Sequence, residues 1–122
     1  MQLQESGEMY LETIYVLSQE KDNVRSLDIA EHMGFSKPSV SRAVKLLKAN
    51  DYITIDEYGF IHLTSEGLSI AAKVFERHTL LSDLFKKLGV PDAIAVSDAC
   101  KIEHCISDVT FEALKKHSHT KQ

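Results

Sequence analysis

The chain has 122 residues, enough for one compact domain or for two small helical units. Hydrophobic residues make up 43% and charged residues 26%, the balance of an ordinary soluble globular protein. No apolar run approaches the ~20 residues that span a bilayer, which excludes a protein built on transmembrane helices. Met1-Gln2-Leu3-Gln4-Glu5 has neither the basic start nor the apolar core of a signal peptide, so a cytoplasmic location is expected. Cys100 and Cys105 are five apart in a helical stretch and point in different directions, which favours free thiols in a reducing compartment. The formal net charge of −4 argues against a nucleic-acid partner for the chain taken as a whole.

In chain order, residues 5–20 read as a helix with an apolar face of Tyr10, Leu11, Ile14, Val16 and Leu17. Lys21-Asp22-Asn23 is turn-like. Ser26 is placed to cap a short helix, Leu27 to Met33, ended by Gly34. Ser36-Lys37-Pro38-Ser39 opens a third helix running to Asn50, with Pro38 in its first turn and Val40, Val44, Leu46 and Leu47 on its apolar side. The period then changes. Tyr52 to Asp56 and Phe60 to Leu63 read as two strands around a Glu57-Tyr58-Gly59 turn. Thr64 can cap a long helix to about Leu88, closed by Gly89 and Pro91, with a stripe of Ile70, Val74, Leu81, Phe85 and Leu88. Two more helices are predicted, Ala93 to Ile106 and Asp108 to Lys116, the second capped by Ser107. The tail, His117 to Gln122, is expected to be disordered.

Helix, short helix, glycine turn, basic helix and hairpin are the order of a winged helix-turn-helix. From Ser36 to Asn50 there are four basic residues (Lys37, Arg42, Lys45, Lys48) and no acidic ones, so the acidity of the chain lies elsewhere. Ser36, Ser39 and Ser41 are small enough for close approach to DNA. Arg42, which shares a face with Ser39, is suited to reading a guanine, and Lys37, Lys45 and Lys48 to contacting phosphates. Pro38 completes the candidate DNA-binding set. The plainer alternative is a solvated basic helix. The wing tip Glu57-Tyr58-Gly59 is not basic, and a weak contribution is expected from it.

Cys100, Glu103 and His104 stand at i, i+3 and i+4, which on a helix gathers a thiolate, a carboxylate and an imidazole on one face. That donor set can hold a divalent transition ion; a half-buried helix with an ordinary ion pair reads the same way. His78 falls within the apolar stripe of the long helix, and Met9 and Glu12 lie one turn apart on the first helix. Taken singly, these three read as core or surface residues, and their weight comes from the combination. Cys105 is off the ligand face, and His117 and His119 are weak candidates.

The whole pattern resembles the diphtheria-toxin-repressor and manganese-transport-regulator family of bacterial metalloregulators. The resemblance covers almost the entire chain. Its most specific parts are Glu8-Met9-Tyr10-Leu11-Glu12-Thr13-Ile14-Tyr15, Asp28-Ile29-Ala30-Glu31, Ser39-Val40-Ser41, Leu63-Thr64-Ser65-Glu66-Gly67, Arg77-His78 and Cys100-Lys101-Ile102-Glu103-His104. It implies a mainly α protein: a winged helix-turn-helix DNA-binding domain over 1–64, followed by an all-helical metal-binding and dimerisation domain over 65–122. It implies a homodimer that binds double-stranded operator DNA in the presence of Fe²⁺ or Mn²⁺, represses metal-uptake genes, and is neither an enzyme nor a membrane protein. The family ligands map onto Met9, Glu12, His78, Cys100, Glu103 and His104. Met9 and Cys100 match the soft ligands of the iron branch, and Glu12 matches the manganese branch. The resemblance is to the short manganese members, and an architecture without an SH3-like third domain is therefore expected. Ligand softness tilts the expectation to iron. A second, ancillary site of some iron members is incomplete, with Ser82 and Val96 at two of its positions.

Ligation requires the thiolate and the neutral imidazole, so metal binding is expected to weaken in acid. Other readings stay open: a winged-helix regulator indifferent to metal, a family member that has lost a function, and a small metal hydrolase. The last lacks any nucleophile elbow, phosphate loop or HExxH motif.

Overall fold

The computed structural model describes residues 5–120, with side chains from 6 to 118. Six helices and one two-stranded sheet follow in the order α1 (Glu5–Glu20), α2 (Ser26–Met33), α3 (Lys37–Ala49), β1 (Ile53–Ile55), β2 (Ile61–Leu63), α4 (Ser65–Lys87), α5 (Asp92–Ile102) and α6 (Asp108–Thr120). Two compact units divide between Ala72 and Lys73, within α4. The N-terminal segment Met1–Gln4 and the last residues, Lys121 and Gln122, lie outside the described residues.

The first unit is built from local signals that agree with one another. Asp28 Oδ2 accepts from the backbone N–H of Arg25 at 2.8 Å, satisfying a donor at the start of α2. Arg25, rather than the expected Ser26, is therefore the N-cap residue, and Ser26 is the first residue of the helix. Gly34 ends α2 in the left-handed region, φ 72°, where its N–H reaches Ala30 O. Ser36 caps α3 by accepting from Ser39 N, with Pro38 in the first turn as expected. Val40, Val44 and Leu47 are buried along one stripe of α3. Leu46 was expected with them but is 59% exposed, because a residue two beyond Val44 is turned off that stripe.

β1 and β2 pair antiparallel with Ile53 opposite Leu63 and Ile55 opposite Ile61. The strands are shorter than predicted, because Asp56 begins the turn: its Oδ1 accepts from Tyr58 N at 2.9 Å and Phe60 N at 3.0 Å. Gly59 takes the positive φ of 84° that closes it. Ile61 N donates to Val24 O at 2.7 Å, tying the hairpin to the segment between α1 and α2. One core joins these pieces, centred on Leu11, Ile14, Val24, Ile29, Val40 and Ile53, while Val16, expected on the apolar face of α1, is only half-buried.

Thr64 caps α4 as predicted, accepting from Gly67 N at 3.1 Å while its hydroxyl faces Asp51 O and Tyr52 O. Gly67 packs so closely on Tyr52 that a Cβ there would lie 2.0 Å from the Tyr52 carbonyl oxygen. Ala71, one turn further on, belongs to the same core.

The second unit comprises the rest of α4 with α5 and α6. Val74, Leu81, Ala95, Ala99 and Phe111 are its buried apolar residues. Leu88, expected to continue the stripe, is 72% exposed because α4 ends at Lys87 and the chain turns at Gly89, φ 98°. α5 begins near the expected residue but stops at Ile102 rather than Ile106. Glu103 is its C-cap, and the next residues form a turn. α6 is longer than predicted. Ser107 Oγ accepts from Thr110 N at 3.2 Å, and the helix continues to Thr120, so His117 to Thr120 are helical rather than disordered. The His119 side chain lies outside those described.

Candidate DNA interface and metal centre

The basic helix presents its polar face to solvent. Ser36, Lys37, Pro38, Ser41, Arg42, Lys45 and Lys48 are exposed and Ser39 is half-buried. Ser36 Oγ donates to Ser39 Oγ at 3.0 Å, and Arg42 Nη2 reaches the same hydroxyl at 3.4 Å. Ser39 and Arg42 thus share one face, opposite the buried Val40–Val44–Leu47 stripe. The start of α3 bears no acidic residue, so nothing in its first turn opposes a phosphate there.

The wing adds a feature that a charge count does not reveal. The Arg25 guanidinium stacks 4.6 Å above the Phe60 ring, and Tyr58, 67% exposed, tilts against the same ring at 6.2 Å. Asp56 also meets His62 Nε2 at 3.0 Å. His62 first, then the Phe60 and Tyr58 amides, hold the Asp56 carboxyl below its ordinary range. A cation and an aromatic side chain separated by 35 residues of sequence give no periodic signal.

In the second unit Glu103 is completely buried. Its Oε2 lies 2.8 Å from Nδ1 of His78, and its Oε1 lies 3.3 Å from Nε2 of His104. One carboxylate therefore sits between two imidazoles, one from α4 and one from the turn after α5. Burying a carboxylate is costly unless a positive partner offsets it. Oε1 makes no hydrogen bond among the described residues, the 3.3 Å approach to His104 missing the required geometry. Cys100, partly buried, stands one helical turn before Glu103. Glu103 keeps right-handed helical angles and donates its N–H to Ala99 O at 2.9 Å, so the Cys100–Glu103 spacing survives the helix end. His104 is not on the helix with them but in the turn. Carboxylate oxygen, imidazole nitrogen and thiol sulfur are donor types that fit a divalent transition ion, and a cation held there would offset the buried carboxylate.

Met9 and Glu12 are placed on α1, three residues apart and both partly buried; Met9 O accepts from Thr13 Oγ1 at 2.9 Å. Of the two positions tied to an ancillary site, Ser82 is buried and Val96 exposed. Cys105 is exposed, as is His117.

Sequence reasoning quoted Arg77 only as part of a motif and missed its role. It is 7% exposed. Its Nη1 donates to Glu103 O at 3.2 Å and Ile106 O at 2.7 Å, and its Nη2 pairs with Asp108. Lys73 foremost, with Arg77, holds the Asp108 carboxyl below its ordinary value. The available signal was position: Arg77 lies between Val74 and Leu81 on the apolar stripe of α4, where a cation must find acceptors.

A winged helix-turn-helix followed in one chain by a helical unit with a buried carboxylate between two imidazoles defines the class of DNA-binding metalloregulators. Residues 2–60 match the family described as iron dependent repressor, N-terminal DNA binding domain, and residues 64–120 match iron dependent repressor, metal binding and dimerisation domain. The chain belongs to this iron-dependent repressor family. Among its relatives, the HTH-type transcriptional regulator MntR of Shouchella clausii is 40% identical over 102 residues, 84% of this chain and 71% of that protein. MntR of Bacillus subtilis is 35% identical over the same length, 84% of this chain and 72% of that one. Among solved structures, the manganese regulator SloR superposes with a TM-score of 0.81 at 32% identity, covering 98% of this chain and 55% of its own. The metal-dependent transcriptional regulator MtsR gives 0.85 at 26% identity, covering 93% and 53%. The chain thus spans about half the length of those two solved chains. No helix among the described residues is long and apolar enough to cross a membrane.

Proposed function

We propose that the chain is a metal-dependent transcriptional repressor acting as a cytoplasmic homodimer on double-stranded operator DNA. Residues 1–64 serve as the DNA-binding domain and 65–122 as the metal-binding and dimerisation domain. The observation that carries this reading is the buried Glu103 carboxylate between His78 and His104, in the same chain as an exposed basic recognition helix. His78, Cys100, Glu103 and His104 are the donors of the second unit, and Met9 and Glu12 of α1 complete the set. An ion shared in this way ties the DNA-binding unit to the dimerisation unit. In a dimer it thereby selects the separation of the two recognition helices, which must suit half-sites about 34 Å apart or a multiple of that. A coupling of ~1–3 kcal/mol changes operator affinity by roughly 5–150-fold. The protein acts by binding, and no catalytic step is assigned to it.

Arg42 is the base-reading residue in this scheme, Lys37 and Lys45 contact phosphates, and Ser36, Pro38, Ser39 and Ser41 allow the close approach. The ion is Fe²⁺ or Mn²⁺. The Cys100 thiolate and Met9 thioether favour Fe²⁺. The manganese reading is favoured by a different observation, the relatives named as manganese regulators.

The test is a fluorescence-anisotropy titration of the protein onto DNA from its own upstream region, run anaerobically with Fe²⁺, Mn²⁺, Zn²⁺ or chelator. Tight binding with one ion and its loss with chelator is expected. Binding that ignores metal would leave a winged-helix regulator without metal response.

A further inference from the structure

Glu103 is held at both ends by consecutive residues of α4. Its carboxylate meets His78 Nδ1 at 2.8 Å, and its backbone carbonyl accepts from Arg77 Nη1 at 3.2 Å. The end of a helix leaves carbonyl groups with no partner inside the helix, and α5 ends at Ile102. Arg77 holds two carbonyls just past that end, that of the C-cap Glu103 and that of Ile106 in the following turn, from a single nitrogen. Its other terminal nitrogen pairs with Asp108 at the start of α6, where Lys73 Nζ also binds at 2.7 Å. The guanidinium carbon lies 5.3 Å from the centre of the buried Phe111 ring.

We propose that Arg77 is the positioning residue of the metal centre: its buried guanidinium locks the turn from Glu103 to Asp108 so that Glu103 and His104 present their donors before an ion arrives. This rests on the metal reading above. A preformed turn spares the ion the cost of ordering Glu103 and His104 on binding. The planar fork explains why an arginine stands here. It reaches two carbonyls and a carboxylate in fixed directions, whereas lysine offers one point charge on a flexible stem.

The test compares the full-length wild type with Arg77→Met and Arg77→Lys, well below their melting temperatures. Mn²⁺ and anaerobic Fe²⁺ are titrated by calorimetry. Amide hydrogen exchange across 103–108 is followed on the metal-free chains. Both variants are expected to bind either ion 10–100-fold more weakly, the usual loss when an outer partner of a ligand is removed. Both are expected to exchange the Cys105 and Ile106 amides faster without metal. Charge retained in Arg77→Lys without recovery of affinity separates the fork from simple electrostatics. Affinity and exchange within two-fold of wild type in the folded variants overturn the proposal. Should Arg77→Met fail to fold, Asp108→Asn removes the charged partner of Nη2, and Lys73→Met controls for the second cation on that carboxylate; faster exchange at 105–106 and weaker binding in Asp108→Asn beyond any change in Lys73→Met support the proposal, and values no different from that control overturn it. If the wild type binds neither ion, the metal reading itself falls, and with it the assignment of Arg77 to a metal centre.

Discussion

The Nδ1 atom of His78 lies 2.8 Å from Oε2 of Glu103, a contact between residues 25 apart in sequence. Burying a carboxylate is costly unless a positive or hydrogen-bonding partner offsets it. Glu103→Gln keeps the shape and removes the charge. Affinity for Mn²⁺ or Fe²⁺ is expected to fall by at least the roughly 10–100-fold typical of losing an outer partner, with an unchanged far-UV circular dichroism spectrum. Calorimetry on both proteins decides it, and equal affinities would remove Glu103 from the ligand set.

Arg42 shares the exposed face of α3 with Ser39, whose hydroxyl it meets at 3.4 Å. Arg42→Ala is expected to cost ~1–3 kcal/mol of discrimination at one base pair, while metal affinity stays as in the wild type. Competition between operator and scrambled DNA measures it. A loss shared equally by both DNAs would make Arg42 a phosphate contact instead.

Gly67 has no room for a side chain, since a Cβ would lie 2.0 Å from the Tyr52 carbonyl oxygen, a backbone atom that cannot swing away. Gly67→Ala is expected to destabilise the first unit by ~1–3 kcal/mol, the usual range for overpacking. Helix propensity alone predicts the opposite sign, because alanine is favoured over glycine within a helix. Urea unfolding followed by circular dichroism distinguishes the two.

Asp28 links α2 to its flanks, accepting from Arg25 N at 2.8 Å and pairing with Lys21 Nζ at 2.9 Å. The Lys21 contact first, then the Arg25 amide, hold its carboxyl below the ordinary aspartate value. A carboxylate whose folded pKa is depressed contributes stability above its unfolded value of about 3.9, and that contribution is lost as pH falls through the folded value. Asp28→Asn is therefore expected to cost about 1 kcal/mol near neutrality, as for other helix caps. The difference from wild type should shrink below about pH 4. Unfolding midpoints measured from pH 6 to pH 2.5 check it; a difference that persists at the acid end would rule out the carboxylate as its source.

By itself the sequence determined the features that rest on neighbours within a few residues. The opening of α3 at Ser36, the Thr64 cap, the Gly34 stop, a turn at Glu57–Gly59 and the basic face of α3 were all legible, because capping, turn chemistry and helical period act over one or two turns. The donor types at 78, 100, 103 and 104 were legible as well, being a matter of residue identity and short spacing. Only the tertiary structure decided how those donors meet. It ended α5 at Ile102, so that His104 lies in a turn, and brought His78 from α4 to the other oxygen of Glu103. It also left Leu46 and Leu88 in solvent, set Gly67 against Tyr52, and buried Arg77 on two carbonyls. Each of these depends on which surfaces pack together across long stretches of chain, and a periodic pattern specifies a face without naming what the face will touch.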